Sequence, residues 1–135
     1  MIKYQIENNI SPKEFQELLI KSTLGERRPV DDFERIKAMV NHANLIFTAR
    51  DNTKLVGVAR SITDFVYCTY LSDIAVDTAY QKKGIGKELI RLTKEETPKA
   101  NLILLSAPKA VNYYPYIGMT QHQACFILND SKDLK

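Results

Sequence analysis

The sequence predicts a chain of the α/β (α+β) class, with a mixed, mostly antiparallel central sheet flanked by helices. Three observations predict it. Residues 45–76 pass through successive strand-like segments rich in aromatic and β-branched side chains, separated by turn residues. The turn Gly84-Ile85-Gly86 then opens an amphipathic helix. Beyond that helix, residues 102–105 form a short continuous apolar run, the pattern of a strand buried on both faces, which a parallel crossover through the helix explains.

Taken in order, Met1 to Ile6 alternates polar and apolar residues like a strand. Ser11-Pro12-Lys13-Glu14 supplies an N-cap serine, a proline at the first helical position and a glutamate three residues past the cap. The helix it starts has Phe15, Leu18, Leu19 and Ser22 on its core stripe, with Gly25 as a stop. A charged connection, Gly25-Glu26-Arg27-Arg28-Pro29, leads to a second helix from Asp31 or Asp32 to about Asn41, burying Phe33, Ile36 and Val40. Residues 45–50 and 55–62, joined by Asp51-Asn52-Thr53, read as a hairpin, and residues 65–70 and 71–76 extend it into a meander. The helix after the glycine turn carries Ile85, Leu89, Ile90 and Leu92 and ends before Pro98. A short helix near residues 109–116 leads through Gly118 to a last strand ending near Leu128, followed by a polar tail.

At 135 residues the chain is the size of one domain, residues 1–135, able to bury a single core. Apolar and charged fractions of 44% and 26% are those of a globular protein and exclude disordered, collagen-like and coiled-coil classes. A net charge of +3 without a basic stripe argues against a nucleic-acid partner. No segment approaches the ~20 apolar residues that cross a bilayer, and the first residues do not resemble a signal peptide, so no membrane partner and a cytoplasmic location are expected. Cys68 and Cys125 lack zinc or redox spacing and stand in apolar surroundings, which reads as buried free thiols. His42 and His122 have no carboxylate or cysteine at ligand spacing, and no metal is expected.

The glycine turn carries the chemistry. A helix N-terminus has N–H groups without partners and a partial positive charge, so a glycine turn opening a helix can cradle a pyrophosphate. A dinucleotide fingerprint wants a third glycine where Leu89 stands, and a P-loop wants Ser or Thr where Glu88 follows Gly86-Lys87. Lys82, Lys83 and Lys87 add positive charge that favours a polyanionic ligand.

What remains is Gln81-x-x-Gly84-x-Gly86 after Ile74-Ala75-Val76, together with Tyr113-Tyr114-Pro115-Tyr116-Ile117-Gly118-Met119. These two motifs resemble the acetyl-coenzyme A signature and the later aromatic-Tyr-x-x-x-Gly-Phe segment of the Gcn5-related N-acetyltransferases (GNAT), and the element order β-α-α-β-β-β-α-β-α-β matches that fold over nearly the whole chain. The resemblance implies the acyl-CoA N-acyltransferase fold and acetyl transfer from acetyl-CoA to a primary amine of a small molecule or peptide, by direct attack in a ternary complex. It also implies a strand, residues 71–76, that splays from its neighbour. Backbone groups of Ile74 and Val76, with Ala75 between them, would then meet the pantetheine arm, while Gln81, Lys82, Lys83, Gly84, Ile85, Gly86 and Lys87 wrap the phosphates. Two departures stand out: Ala107 occupies a place where the family often has a cofactor-contacting asparagine, and Met119 replaces an aromatic residue.

Such a reaction needs a neutral amine, a proton donor for the departing thiolate and an N–H aimed at the oxyanion. By resemblance Tyr114 is the general acid, the alternative being an aromatic packing residue, and an N–H near Ile74 serves the oxyanion. Asp73 is the one carboxylate inside the splaying strand and points to the face opposite Ile74 and Val76. It reads as the base, directly or through water, or as a structural hydrogen-bonding group, with Asp64 a competing candidate. Arg27, Arg28 or Arg60 could pair with an acidic group on the acceptor, or be surface charges. A non-catalytic acyl-CoA sensor is the alternative function, and exchange of the final strand or edge pairing offers a route to a homodimer.

Overall fold

The structure is a computed structural model describing residues 1–135. It divides into two compact units, Met1–Leu105 and Ser106–Lys135. The first is built on a five-stranded sheet in sequence order: β1 (Ile2–Ile6), β2 (Leu45–Asp51), β3 (Lys54–Thr63), β4 (Cys68–Val76) and β5 (Asn101–Ile103). The first four pair antiparallel, and β5 runs parallel to β4. The mixed sheet and its crossover through the helix after the glycine turn are as the sequence predicts.

Three helices cover this sheet: α1 (Pro12–Lys21), α2 (Phe33–His42) and α3 (Ile85–Glu96). The Ser11 hydroxyl accepts from the Glu14 N–H and Asp32 caps α2 through the Arg35 N–H, so both starts lie where the capping residues put them. Phe15, Leu18 and Leu19 of α1 and Ile36 and Val40 of α2 form one buried cluster with Val58 of β3 and Ala75 of β4. The neighbouring residue on β3, Gly57, faces the other way. A Cβ there would sit 3.0 Å from Ile85 Cγ2 and 3.2 Å from Leu89 Cδ1, so the missing side chain is what lets α3 lie close on the opposite face. On α3, Thr93 is buried beside Ile85, Leu89 and Ile90, its hydroxyl bonding the Leu89 carbonyl, while Leu92 is only half-buried.

Several sequence expectations are corrected. Strand character begins at Cys68 rather than Phe65. The Asp64 carboxylate gathers the N–H groups of Val66, Tyr67 and Cys68 into a turn, and Phe65 adopts φ +68° within it. Residues 102–105 are not buried on both faces: Ile103 and Leu105 are exposed, because β5 pairs with β4 over three residues at the sheet's edge. Phe33, at the first position of α2, is also exposed. Both cysteines are free and exposed, Cys68 because it directly follows the turn and Cys125 because it lies in irregular chain.

Glu7 ties β1, β2 and α1 together. Arg50 donates to both Glu7 oxygens at 2.8 and 3.0 Å and to Glu14 at 2.8 Å, while Thr48 and Gln5 donate to Glu7 as well. The Arg50 hydrogen bonds hold the Glu7 carboxyl at about 2, against 4.5, despite the opposing cost of burial. A folded value below the unfolded one means the stabilisation is complete above about pH 4.5 and fades as pH falls toward 2. Urea midpoints should therefore drop across that interval in the wild type, and Glu7→Gln should show a smaller drop; identical acid profiles would contradict this assignment.

The second unit, Ser106–Lys135, holds only short helical pieces. The helix expected over residues 109–116 is two pieces, a 3-10 turn at Pro108–Ala110 and one helical turn, α4 (Tyr113–Tyr116). Pro115 lacks an N–H and disfavours helix before it, so it is tolerated only within a first turn. Gly118, at φ +106°, closes α4, its N–H bonding the Pro115 carbonyl. The expected last strand does not form. Residues 119–128 enter no strand ladder, and Phe126, Ile127 and Leu128 are exposed. The strand-like alternation is present, but a strand exists only where a neighbour takes up its backbone groups.

Candidate functional site

The open edge of β4 is the first component of the site. The Asp77 N–H bonds the Val56 carbonyl at 2.9 Å, and Val76 lies opposite Gly57, so Val56 and Asp77 form a hydrogen-bonded pair. Antiparallel ladders alternate such pairs with open ones. Ala75 opposite Val58 and Asp73 opposite Arg60 therefore direct their backbone groups to β3, while Ile74 and Val76 direct theirs away from it. On that side β5 covers only Cys68, Thr69 and Tyr70. The edge beyond is without a strand partner, as expected for residues 71–76. Ala75, between Ile74 and Val76, directs its backbone to β3, and its side chain is buried in the helical core.

The second component is the turn into α3. Gly84 is the N-cap at φ +82°, a conformation that favours glycine, and no side chain caps the helix. The first backbone bond runs from the Glu88 N–H to the Gly84 carbonyl, so the N–H groups of Ile85, Gly86 and Lys87 lack intrahelical partners. A Cβ added at Gly84 would meet nothing within 4 Å, and one at Gly86 would lie 3.8 Å from Val76 Cγ2. The donor end of the helix thus abuts the open strand edge. Gln81 fastens the two, its Nε2 donating to the Val76 carbonyl at 3.1 Å. Lys82, itself at φ +65°, Lys83 and Lys87 are exposed around the turn, and Ile85 anchors it in the core.

Asp73 sits on a bulge. Arg60 lies opposite Asp73 and Ser61 opposite Leu71, leaving Ser72 without a counterpart. The Asp73 side chain is fully buried, and its two oxygens are taken by two arginines: Arg28 Nε donates to one at 2.5 Å and Arg60 Nε to the other. Arg28 also donates to the Ser72 and Arg27 carbonyls, and Arg60 to the Met39 carbonyl and the Ser72 hydroxyl. The base expected from sequence is therefore engaged as a shared counter-ion. Asp64 is engaged too: the backbone N–H groups of Cys68, Tyr67 and Val66 hold its carboxyl at about 2.

In the second unit Tyr114 is half-buried, its ring edge-on to that of Tyr113 with centroids 5.3 Å apart. Burial raises the Tyr114 phenol above its ordinary 10.0, with a smaller contribution from Tyr113, so it keeps its proton at neutral pH. No group of three or more His, Cys, Asp or Glu side chains is arranged to hold a metal ion. No helix is long and apolar enough to cross a membrane. The arginine pair on Asp73 left no local signal in the sequence, since Arg28 and Asp73 stand 45 positions apart.

A mixed sheet whose fourth strand opens beside an uncapped glycine turn is the acyl-CoA N-acyltransferase fold. The comparisons agree. The profile of the acetyltransferase (GNAT) family matches residues 12–119, and the chain belongs to that family. A GNAT-family acetyltransferase from Streptococcus pneumoniae superposes with a TM-score of 0.78 at 20% identity, over 96% of this chain and 98% of that one. An aminoglycoside acetyltransferase from an uncultured soil metagenomic sample, solved with trehalose, superposes with a TM-score of 0.71 at 22% identity, over 96% and 95%. Among curated proteins, a histone acetyltransferase of Glycine max is 30% identical over 71 residues, 50% of this chain. The match spans about a third, 31%, of that relative's length.

Proposed function

We propose that the protein transfers an acetyl group from acetyl-CoA to a primary amine by direct attack in a ternary complex. The observation that carries this reading is the backbone edge at Ile74 and Val76, which no strand covers, lying against the uncapped start of α3. Bound acetyl-CoA supplies an activated acyl group on a thiol leaving group. With the Val76 carbonyl taken by Gln81, the strand edge offers the Ile74 N–H and C=O and the Val76 N–H to an amide-bearing pantetheine arm. The turn offers the N–H groups of Ile85, Gly86 and Lys87, the conformational freedom of Gly84, and the charges of Lys82, Lys83 and Lys87 to its phosphates. Gln81 holds turn and edge together.

An alkyl amine with a pKa of ~10.4 is neutral in about one molecule in 2,500 at pH 7. With Asp73 and Asp64 both engaged, the amine loses its proton to water, and orienting it is the chief contribution of the chain. Tyr114 is the proposed acid, a phenol that stays protonated and can neutralise the departing thiolate. Replacing it by Phe should lower kcat by about 100-fold with KM for acetyl-CoA unchanged, and should remove the alkaline limb of the pH–rate profile. An unaltered kcat would remove Tyr114 from the mechanism.

The direct test is to incubate protein and acetyl-CoA with amino acids, peptides, polyamines and aminoglycosides, the last suggested by the name of the soil relative. Acetylated product identified by mass supports the reading. Binding of acetyl-CoA with no product from any amine would instead indicate an acyl-CoA sensor.

A further inference from the structure

Resting on the acetyltransferase reading above, we infer that the acceptor amine carries a carboxylate, which the guanidinium of Arg28 binds. The charge balance around Asp73 is the starting point. Two guanidiniums meet one carboxylate, and no other acidic side chain forms an ion pair with either arginine. The cluster keeps one positive charge in excess at a place where Arg60 is 6% exposed and Asp73 is 0% exposed. With Arg28 partly open to solvent, the excess charge is only partly desolvated, and a group of opposite sign reaching it is stabilising.

Only Arg28 can be reached. Arg60 is buried, donating to the Met39 carbonyl and the Ser72 hydroxyl as well as to Asp73. Arg28 has a side chain 22% exposed and uses three of its five N–H donors, on Asp73, Ser72 and Arg27. One donor on each terminal nitrogen is left, enough to meet a carboxylate. The three existing bonds fix the guanidinium, so little side-chain entropy is lost on binding. Its position is also apt: it bonds the Ser72 carbonyl, and Ile74, two residues on, directs its backbone groups to the open edge. Asp73 is a positioning residue here, aiming Arg28 and fastening the connection between α1 and α2 to β4. A polycationic acceptor would bring charge of the wrong sign to this place.

Matched acceptors test it. α-Amino acids, ω-amino acids and dipeptides are each assayed as the free carboxylate and as the carboxamide, beside polyamines and aminoglycosides, with acetyl-CoA binding measured in parallel. The expected result is at least a tenfold higher kcat/KM for the carboxylate of a pair, falling to near parity in Arg28→Gln. A purely structural role for Arg28 would slow both members equally and leave the ratio unchanged, which would overturn the inference. So would turnover confined to carboxamides or polycations, an outcome that leaves the acetyltransferase reading standing. Acetyl-CoA binding without any turnover, or no binding at all, would remove both.

Discussion

Asp73→Asn should destabilise the protein by about 3–5 kcal/mol, the usual cost of removing one partner from a buried ion-pair network. Asparagine has nearly the same shape, so the loss is electrostatic: both Arg28 and Arg60 keep their charge and lose the carboxylate they share. The effect should reach beyond the strand, because Arg28 holds the connection after the 3-10 turn Leu24–Arg27, and Arg60 bonds the Met39 carbonyl of α2. Urea denaturation at pH 7 measures it. Adding Arg60→Met to the variant should recover part of the loss, since it removes the more deeply buried of the two orphaned charges. A loss below about 1 kcal/mol for Asp73→Asn would show that the network is not what holds these elements together.

Gly84→Glu should weaken acetyl-CoA binding by at least about 100-fold while leaving the fold intact. Two effects add. A side chain at φ +82° costs about 1 kcal/mol of backbone strain. A carboxylate would also project into open space where the helix start invites an anion, replacing attraction by like-charge repulsion. Since nothing lies within 4 Å of the added Cβ, the core is not disturbed, and the thermal midpoint should move by only a few degrees. Gly84→Ala separates the terms: it carries the strain without the charge and should fall between wild type and Gly84→Glu.

Much of the fold was legible because its signals are local. The Ser11 and Asp32 caps, the apolar stripe of α1 and the glycine turn each specify their own element, and each lies where the sequence puts it. The structure departs from the sequence where a side chain competes for the backbone or where a strand needs a distant partner. Phe65 to Tyr67 have strand-forming side chains, yet the adjacent Asp64 carboxylate gathers the N–H groups of Val66, Tyr67 and Cys68 into a turn. Residues 119–128 alternate like a strand but enter no ladder. Within the site, the open edge at Ile74 and Val76 and the turn at Gly84 follow from motif and register. The engagement of Asp73 does not, because it requires Arg28 from one loop and Arg60 from the adjacent strand to converge on a bulge at Ser72 that no residue type announces.

The measurement that bears most directly on the central claim is a calorimetric titration of the folded wild-type protein with acetyl-CoA, set beside the same titration of Gly84→Glu. One-to-one binding in the wild type, lost in a variant that remains folded, is the predicted result. A folded wild type that binds no acetyl-CoA would contradict the account, leaving the turn at Gly84 as a structural device for passing the chain from β4 into α3.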